Sequence, residues 1–482
     1  MFLYILLFLA ASLENGDEVL VPASFDAIGK TLGVSVALLG SLTFGRSFLQ
    51  AVGSIFIVPF VDVFPKLTVL GLSCAIWGVC TLLTGLSMYY YQLLIFRTLT
   101  GVCLAFSIPT IRSFMSSDTS KRNRAKGFSL LYAGSNIGAL FWGIVATSYA
   151  EGNLSILGQN VEGWRLVFVG FAIFSLILGT CIMLIFMQRD CYVILIRFTL
   201  GVLIVKMDGS NVTNRDTQSE ETISWKLKCS EYYNNASIIL RKKTFLIIAL
   251  QGVVGSMPWK AFSYLTLILK RANFSGERAA FIVGSFQIGV TLGNLLGGYV
   301  ADALHSKFPN KGYILTAQIS AASQLPLSYL CLRYFPHEES YFYSLCASFF
   351  MFGLFISWCG SANNSMFSEI CPEHMRNAVY ALNYAVEGSI SSAIIPIVGW
   401  LSDKKLMVPI HGDPLSVNVF FICVIASLWL LLVYSLLYSP YAREKEEVDK
   451  CHAPYTSITV GRNDGSSTCD GRDEDGALLV PT

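Results

Sequence analysis

The chain has 482 residues, of which 54% are hydrophobic and 14% charged, and its mean hydropathy is +0.56. Soluble domains carry about a quarter charged residues, so an ordinary soluble enzyme is excluded, and a net charge of +2 leaves no basic footprint for nucleic acid. The 13 cysteines fall mostly inside apolar runs with no CxxC or Cys/His ligand spacing; they read as small apolar residues, and neither metal nor cofactor is expected.

Twelve apolar runs follow in order, at 1–23, 34–60, 67–89, 91–113, 127–149, 165–187, 244–267, 279–301, 312–333, 340–361, 378–401 and 416–438. Each is long enough for a tilted helix across about 30 Å of hydrocarbon. Lipid cannot satisfy loose backbone groups, so the predicted fold is an all-α integral membrane protein. Its twelve helices form two six-helix bundles, 1–187 and 244–438, joined by a charged cytosolic loop over 188–243 and followed by a disordered cytosolic tail over 439–482. The first run resembles a signal-peptide core but lacks a basic flank and a clear cleavage site, so it is read as the start of span one.

Basic residues set the orientation. Lys121, Arg122, Arg124 and Lys126 follow span four, and Arg189, Lys226, Lys228, Arg241, Lys242 and Lys243 lie in the central loop; parity puts both groups on one side, which is therefore cytosolic. The sequons at Asn153 and Asn273 then fall together on the outer side. Cys191–Met207 is apolar but interrupted by Arg197 and Lys206, and is expected to be an interfacial helix. If it crossed the membrane instead, Asn153 and Asn273 would be on opposite sides. Trp225–Lys243 suggests a second surface helix.

Charge inside a span costs about 2.5–3.5 kcal/mol per residue on insertion scales, so it should line a wet path or pair internally. Spans three, six, nine and twelve have no charge in their interiors and read as outer support. Glu14, Asp17 and Glu18 share one face of span one at i, i+3, i+4. They cannot all ionise cheaply unless Arg46 or Arg97 compensates, which is the physics of a proton-coupling site, with Asp17 the expected proton carrier. The alternative is that span one ends near Leu13 and these acids are at the surface. Arg97 is either the coupling partner or half of a structural ion pair. The expected substrate path is lined by Arg46, Asn136, Gln251, Trp259, Lys260, Asn383 and Glu387. Lys260 either holds an anionic group or snorkels to the interface. Glu387 and Asn383 lie one turn apart, either on the path or paired across the lobe interface.

Asp62, with Lys66, follows span two, and Gly298 with Asp302 ends span eight. An acid at matching loops of two halves suggests a parallel repeat and a pair of gating inner loops. At these residues the chain resembles the major facilitator superfamily, whose inner-loop pattern is Gly-x-x-x-Asp-(Arg/Lys)-x-Gly-x-(Arg/Lys). Gly298 and Asp302 match it, whereas Val58 replaces the first-half glycine. Arg97-x-x-x-Gly101 resembles the span-four arginine motif and Gly134-Ser-Asn-Ile-Gly138 the span-five glycine motif. Within the superfamily the chain is similar to Spinster-like transporters and a related plant and protist group. Asn15-Gly-Asp17, Phe96-Arg97 through Pro109-Thr110, Gln251–Trp259 and Glu369–Glu373 carry that likeness. Glu18 stands where Spinster proteins have arginine, and Leu104 where they have an acid.

The expected protein is a monomeric secondary or facilitative transporter working by alternating access, with protons as the candidate coupling ion, and the Spinster resemblance implies a lysophospholipid or sphingolipid as substrate. The cations Arg46, Arg97 and Lys260 favour a small organic anion instead. A non-transporting receptor or scaffold on a carrier fold is the competing expectation. No HExxH, nucleophile elbow or phosphate-binding loop appears, so no enzyme is expected. In the tail, Tyr455-Thr-Ser-Ile458 and Glu474 with Leu478-Leu479 fit sorting-adaptor signals. They predict an endolysosomal or vacuolar membrane, with the plasma membrane as the alternative.

Overall fold

Because lipid offers no hydrogen-bond partners, each apolar run must close its backbone bonds within itself. The computed structural model describes residues 2–61, 66–118, 124–156, 159–208, 230, 232–335, 338–372, 375–406 and 413–452, and these are almost wholly helical. The first half holds α1 (Phe2–Ala23), a short α2 (Phe25–Leu32), α3 (Val36–Val61), α4 (Lys66–Leu86), α5 (Tyr90–Asp118) and α6 (Arg124–Tyr149). A small hairpin follows, β1 (Asn153–Ile156) antiparallel to β2 (Gln159–Glu162), with Asn153 opposite Glu162. The half ends with α7 (Gly163–Asp208).

A helical stretch α8 (232–239) leads to the second half. Span seven is broken into α9 (Lys243–Gly255), α10 (Met257–Ala261), a 3-10 turn and α11 (Leu265–Arg271). Then come α12 (Gly276–Lys307), α13 (Gly312–Tyr329), the pair α14 (Phe342–Ile356) and α15 (Trp358–Ile370), the pair α16 (Arg376–Ser392) and α17 (Ile394–Asp403), α18 (Pro414–Ser435) and α19 (Tyr438–His452). Among the described residues, seven segments are long and apolar enough to cross a membrane, from Leu67–Leu86 to Pro414–Ser435.

The charge-free spans pair with one another. α4 lies along α7, and α13 along α18. Gly71, Gly78 and Gly85, seven residues apart, flatten one face of α4. A Cβ at Gly78 would sit 2.9 Å from Leu176, and one at Gly71 2.8 Å from Met183. Small residues at such spacing let helix backbones approach where no hydrophobic effect drives them together. Inside the first bundle, Trp77 and Trp142 converge on Phe171, with ring centroids 5.9 and 4.7 Å away. Phe262, Phe286 and Phe352 form the matching cluster of the second bundle.

Lys270 pairs with Glu151 at 2.9 Å, so the β-hairpin and the turn at Asn273 lie at the same end of the molecule. We call this the hairpin face, and the opposite end the tail-helix face. Both outer sequons are therefore at one end, and the second bundle is not inverted relative to the first.

Two sequence expectations need correction. Cys191–Met207 is not a separate surface helix, because its backbone continues α7 without interruption. No glycine or proline falls between Gly179 and Gly201 to end the helix. At 1.5 Å per residue its 46 residues run about 69 Å, more than twice the hydrocarbon thickness. Within Trp225–Lys243, residues 232–239 are helical, as α8. The tail is not disordered from 439 onward, since 438–452 form α19. A run of helix formers with i,i+4 pairs Arg443–Glu447 and Glu446–Lys450 sustains the helix, and fully buried Tyr441 docks it. Both sorting signals lie outside the described residues.

Candidate transport site

Asp17 is the centre of the first bundle. Three neighbouring helices direct donors at its carboxylate, which is fully buried. Arg46 Nε of α3 donates to Oδ2 at 2.8 Å. Arg97 of α5 donates from Nη1 to Oδ1 at 2.8 Å and from Nη2 to Oδ2 at 3.2 Å. Trp77 Nε1 of α4 donates to Oδ1 at 3.3 Å. Arg97 Nη2 also donates to the Asp17 carbonyl at 3.2 Å, and its guanidinium lies 5.9 Å from the Phe168 ring centroid. Gly101 explains why both arginines reach one acid. A Cβ there would collide with the Arg46 carbonyl, so only glycine lets α5 cross α3 this closely. Span one therefore does not end at Leu13. Its acids are inside the protein, and Arg97 does form the structural ion pair.

The flanking acids have different surroundings. Glu14 is buried and accepts from Gln50 Nε2 at 2.9 Å and from Asn15 Nδ2 at 3.1 Å. Glu18 turns toward the second bundle and accepts from Lys260 Nζ at 3.1 Å. That pair is partly open, with the Glu18 side chain 42% and the Lys260 side chain 23% exposed. Lys260 does not snorkel to the interface; it bonds across the lobes.

Other bonds join the lobes. Asp403, at the end of α17, accepts from the Val36 and Ala37 backbone N–H groups at 3.2 and 3.0 Å, at the start of α3. Tyr264 donates to the Ile395 carbonyl at 2.8 Å and lies 3.3 Å from that of Val36. Gln287 Nε2 on α12 donates to Asn136 Oδ1 on α6 at 3.3 Å. Among the described residues these polar lobe-to-lobe bonds occupy the hairpin-face half. Toward the tail-helix face, Ile55 of the first lobe and Leu382 of the second line a cavity of about 420 Å³ together with Tyr232, Tyr233 and Arg241.

In the second lobe, Glu387 accepts from Asn383 Nδ2 at 2.9 Å and from the Ser256 hydroxyl. Ser256 sits where span seven breaks between α9 and α10. This pairing is within one lobe, not across the interface. Gln251 is also internal. It is buried and accepts from Asn363 Nδ2 at 3.0 Å, while Asn363 Oδ1 accepts from Tyr434 at 2.9 Å. Trp259 is partly buried, its ring centroid 6.0 Å from that of Phe286.

The inner-loop residues are less alike than their spacing suggests. Asp302 accepts from Tyr313 Oη at 3.4 Å. A Cβ on Gly298 would meet no described atom within 4 Å. Asp62 lies outside the described residues, and only the backbone of Lys66 is described, at the start of α4. A denser network stands beside them at the tail-helix face. Glu369 accepts from Lys445 at 3.1 Å and lies 3.2 Å from His305 Nε2, and Tyr441 donates to it as well. Glu444 accepts from the Lys243 and Thr244 backbone N–H groups at 2.8 and 3.3 Å, capping α9.

Sequence reasoning missed Trp77, Ser256, Asp403 and Tyr264. Trp77 carried a usable signal, since an indole N–H inside a charge-free span needs an acceptor. The other three carried none.

Two helical bundles around an internal set of paired charges, joined at one end, define a polytopic carrier. The family model for the Major Facilitator Superfamily matches residues 1–396 and 244–459. The chain belongs to this superfamily, and is a multi-pass membrane transport protein rather than an enzyme. Among curated proteins it is 24% identical over 326 residues to the 4-hydroxybenzoate transporter PcaK of Acinetobacter baylyi, covering 66% of this chain and 68% of that protein. It is 23% identical to a gallate transporter of Pseudomonas putida, covering 62% and 65%. It is 24% identical over 405 residues to the cis,cis-muconate transport protein of A. baylyi, covering 83% and 87%. Among solved structures, an inward-facing, unoccupied bacterial homologue of the human lysosomal transporter Spinster superposes with TM-score 0.68 at 15% identity, covering 92% of this chain and 98% of that one. A D-xylose–proton symporter superposes with TM-score 0.59 at 16% identity, covering 89% and 96%. The fold is thus Spinster-like.

Proposed function

We propose that this protein carries a small organic acid across a membrane by alternating access, and that proton movement is coupled to that flux. One observation carries the substrate class. Arg46 and Arg97 are buried and paired with Asp17, whereas Lys260 is partly open and stands between the lobes. Lys260 is the cation of this site that a carboxylate can reach. The relatives whose names specify 4-hydroxybenzoate, gallate and cis,cis-muconate support the same class. An amphipathic lipid has no comparable support, because the Spinster likeness at 15% identity speaks to fold alone.

Lobe rocking about a central site is the transport step. Closure at the hairpin face, through Asp403, Tyr264 and Lys260, favours a state open toward the tail-helix face. Asp17, Arg46, Arg97 and Trp77 hold the first lobe's helices in register beneath the site. Asn136 with Gln287, and Glu387 with Asn383, border the same interlobe space.

Counterflow tests this reading. Proteoliposomes loaded with unlabelled benzoate should accumulate labelled benzoate transiently, and Lys260→Met should abolish it. A protein that binds benzoate without counterflow would be a receptor on a carrier fold. Equal counterflow in wild type and Lys260→Met would remove the assignment of Lys260.

A further inference from the structure

The charges bonded to or facing one another between α1, α3, α5 and α10 balance. Glu14, Asp17 and Glu18 face Arg46, Arg97 and Lys260, three acids against three bases. Bringing one more carboxylate to Lys260 would break that neutrality in a region where unbalanced charge is expensive. Neutrality is kept if one acid of the set takes up a proton as the anion arrives.

Geometry singles out which acid. Asp17 is fully buried and accepts from Arg46, Arg97 and Trp77; a proton there would strand two buried guanidiniums. Glu14 is buried against Gln50 and Asn15, and its proton would not free Lys260. Glu18 is 42% exposed, and its carboxylate already occupies Lys260 Nζ at 3.1 Å. It holds the place that a substrate carboxylate would take.

The other groups facing α1 are accounted for. α3 presents Arg46, α5 presents Arg97, and α10 presents Lys260. The α6 and α7 faces at Gly16 are the rings of Trp142 and Phe171. Tyr264 of the 3-10 turn is bonded to backbone carbonyls. On α11, Lys270 pairs with Glu151 and Arg271 with Asp413, while Lys30 and Asp26 of α2 pair with each other. Glu387 of α16 also lies within electrostatic reach of Lys260, and its carboxylate is bonded to Ser256 and Asn383.

We propose that Glu18 is the proton carrier: a substrate carboxylate displaces it from Lys260, and one proton enters on Glu18 with each carboxylate bound. The exchange replaces an ion pair between lobes with an ion pair between Lys260 and substrate. The bond from α1 to α10 is lost, so substrate binding itself releases one lobe from the other. This inference rests on the reading of Lys260 as the carboxylate-binding cation.

The test uses the purified full-length protein with benzoate, 4-hydroxybenzoate, gallate and cis,cis-muconate as probes. Calorimetry in buffers of different ionisation enthalpy should show one proton taken up per anion bound. Above the titration of Glu18, affinity should fall about tenfold per pH unit. Glu18→Gln should bind the anion more tightly, without proton uptake or pH dependence. In proteoliposomes it should retain counterflow but lose acceleration by an imposed pH gradient. The wild-type proton count needs no variant, so a Glu18→Gln protein that fails to fold leaves the proposal open to refutation. Binding without proton uptake overturns it. So does Glu18→Gln that stays pH-driven, or coupling lost in Glu387→Gln but kept in Glu18→Gln. If Lys260→Met loses binding while Glu18→Gln keeps coupling, this inference alone falls. If Lys260→Met binds as wild type does, or the wild type binds none of the four acids, the carboxylate reading falls and takes this inference with it.

Discussion

Replacing Asp17 with asparagine removes one charge and keeps the side-chain shape, so it isolates what the carboxylate does for the first lobe. In the native protein, Arg46 Nε and Arg97 Nη1 each lie 2.8 Å from it, and all three side chains are at most 1% exposed. Each ion pair is worth about 4 kcal/mol at an effective dielectric of about 20 and 4 Å separation. Desolvation of three ions offsets much of that, so the whole cluster contributes little net stability. Removing the acid alone is different: it leaves two buried guanidiniums with an amide oxygen. Breaking a buried pair on one side costs about 3–5 kcal/mol, and the retained oxygen puts Asp17→Asn near the lower end. Unfolding of the purified protein in mixed micelles, followed by tryptophan fluorescence, measures this. The double variant Asp17→Asn, Arg97→Met should recover about 1–2 kcal/mol of the loss, because it removes one stranded charge. Transport separates the roles further. Asp17→Asn should lower counterflow and pH-driven flux together, as a framework residue does, whereas a proton carrier loses only the second. An Asp17→Asn protein within about 0.5 kcal/mol of wild type would refute the framework role. So would a double variant no more stable than the single one.

Four further outcomes are expected. Gly101→Ala drives a methyl into the Arg46 carbonyl and should cost about 1–3 kcal/mol in the same unfolding assay. Trp77→Phe removes the 3.3 Å bond to Asp17 and should cost about 1.5–3 kcal/mol, as loss of a hydrogen bond to a charged group does. Glu444→Ala uncaps α9 and should raise hydrogen exchange at the Lys243 and Thr244 amides, with a local loss of about 0.5–2 kcal/mol. A sorting role for Leu478 and Leu479 predicts that replacing both with alanine changes the protein's location; an unchanged location by microscopy would remove that role.

The class of the protein was legible because charge stands out against an apolar run. Asp17, Arg46 and Arg97 were each conspicuous for that reason, and they do converge. What their spacing along separate helices cannot specify is how each helix is rotated against its neighbours. Their spacing therefore could not show that Gln251 and Glu387 take their hydrogen bonds from within the second lobe. The α19 helix was hidden for another reason. A polar composition resembles disorder unless one sees that Tyr441 is buried and that Glu444 meets free N–H groups at the start of α9. The lobe contact at Asp403 depends on two backbone donors more than 360 residues away, which no local pattern encodes.

Within span one the decisive distinction falls between adjacent residues. Successive side chains on a helix point about 100° apart. Asp17 consequently faces the sealed interior of its lobe and Glu18 the space between lobes. In the proposed cycle the first keeps its two arginines by staying ionised, and the second, 42% exposed, exchanges with the substrate carboxylate. Placing both tasks on one carboxyl would make each proton uptake strand the buried guanidiniums. In the proposed cycle, dividing them would let the charge framework persist while the partly open Glu18–Lys260 pair breaks and reforms. Moving the acid from position 18 to the sealed face would therefore lose coupling without adding stability. The pair of variants Asp17→Asn and Glu18→Gln should differ most in unfolding, where only the first is costly, and in pH response, where only the second is silent.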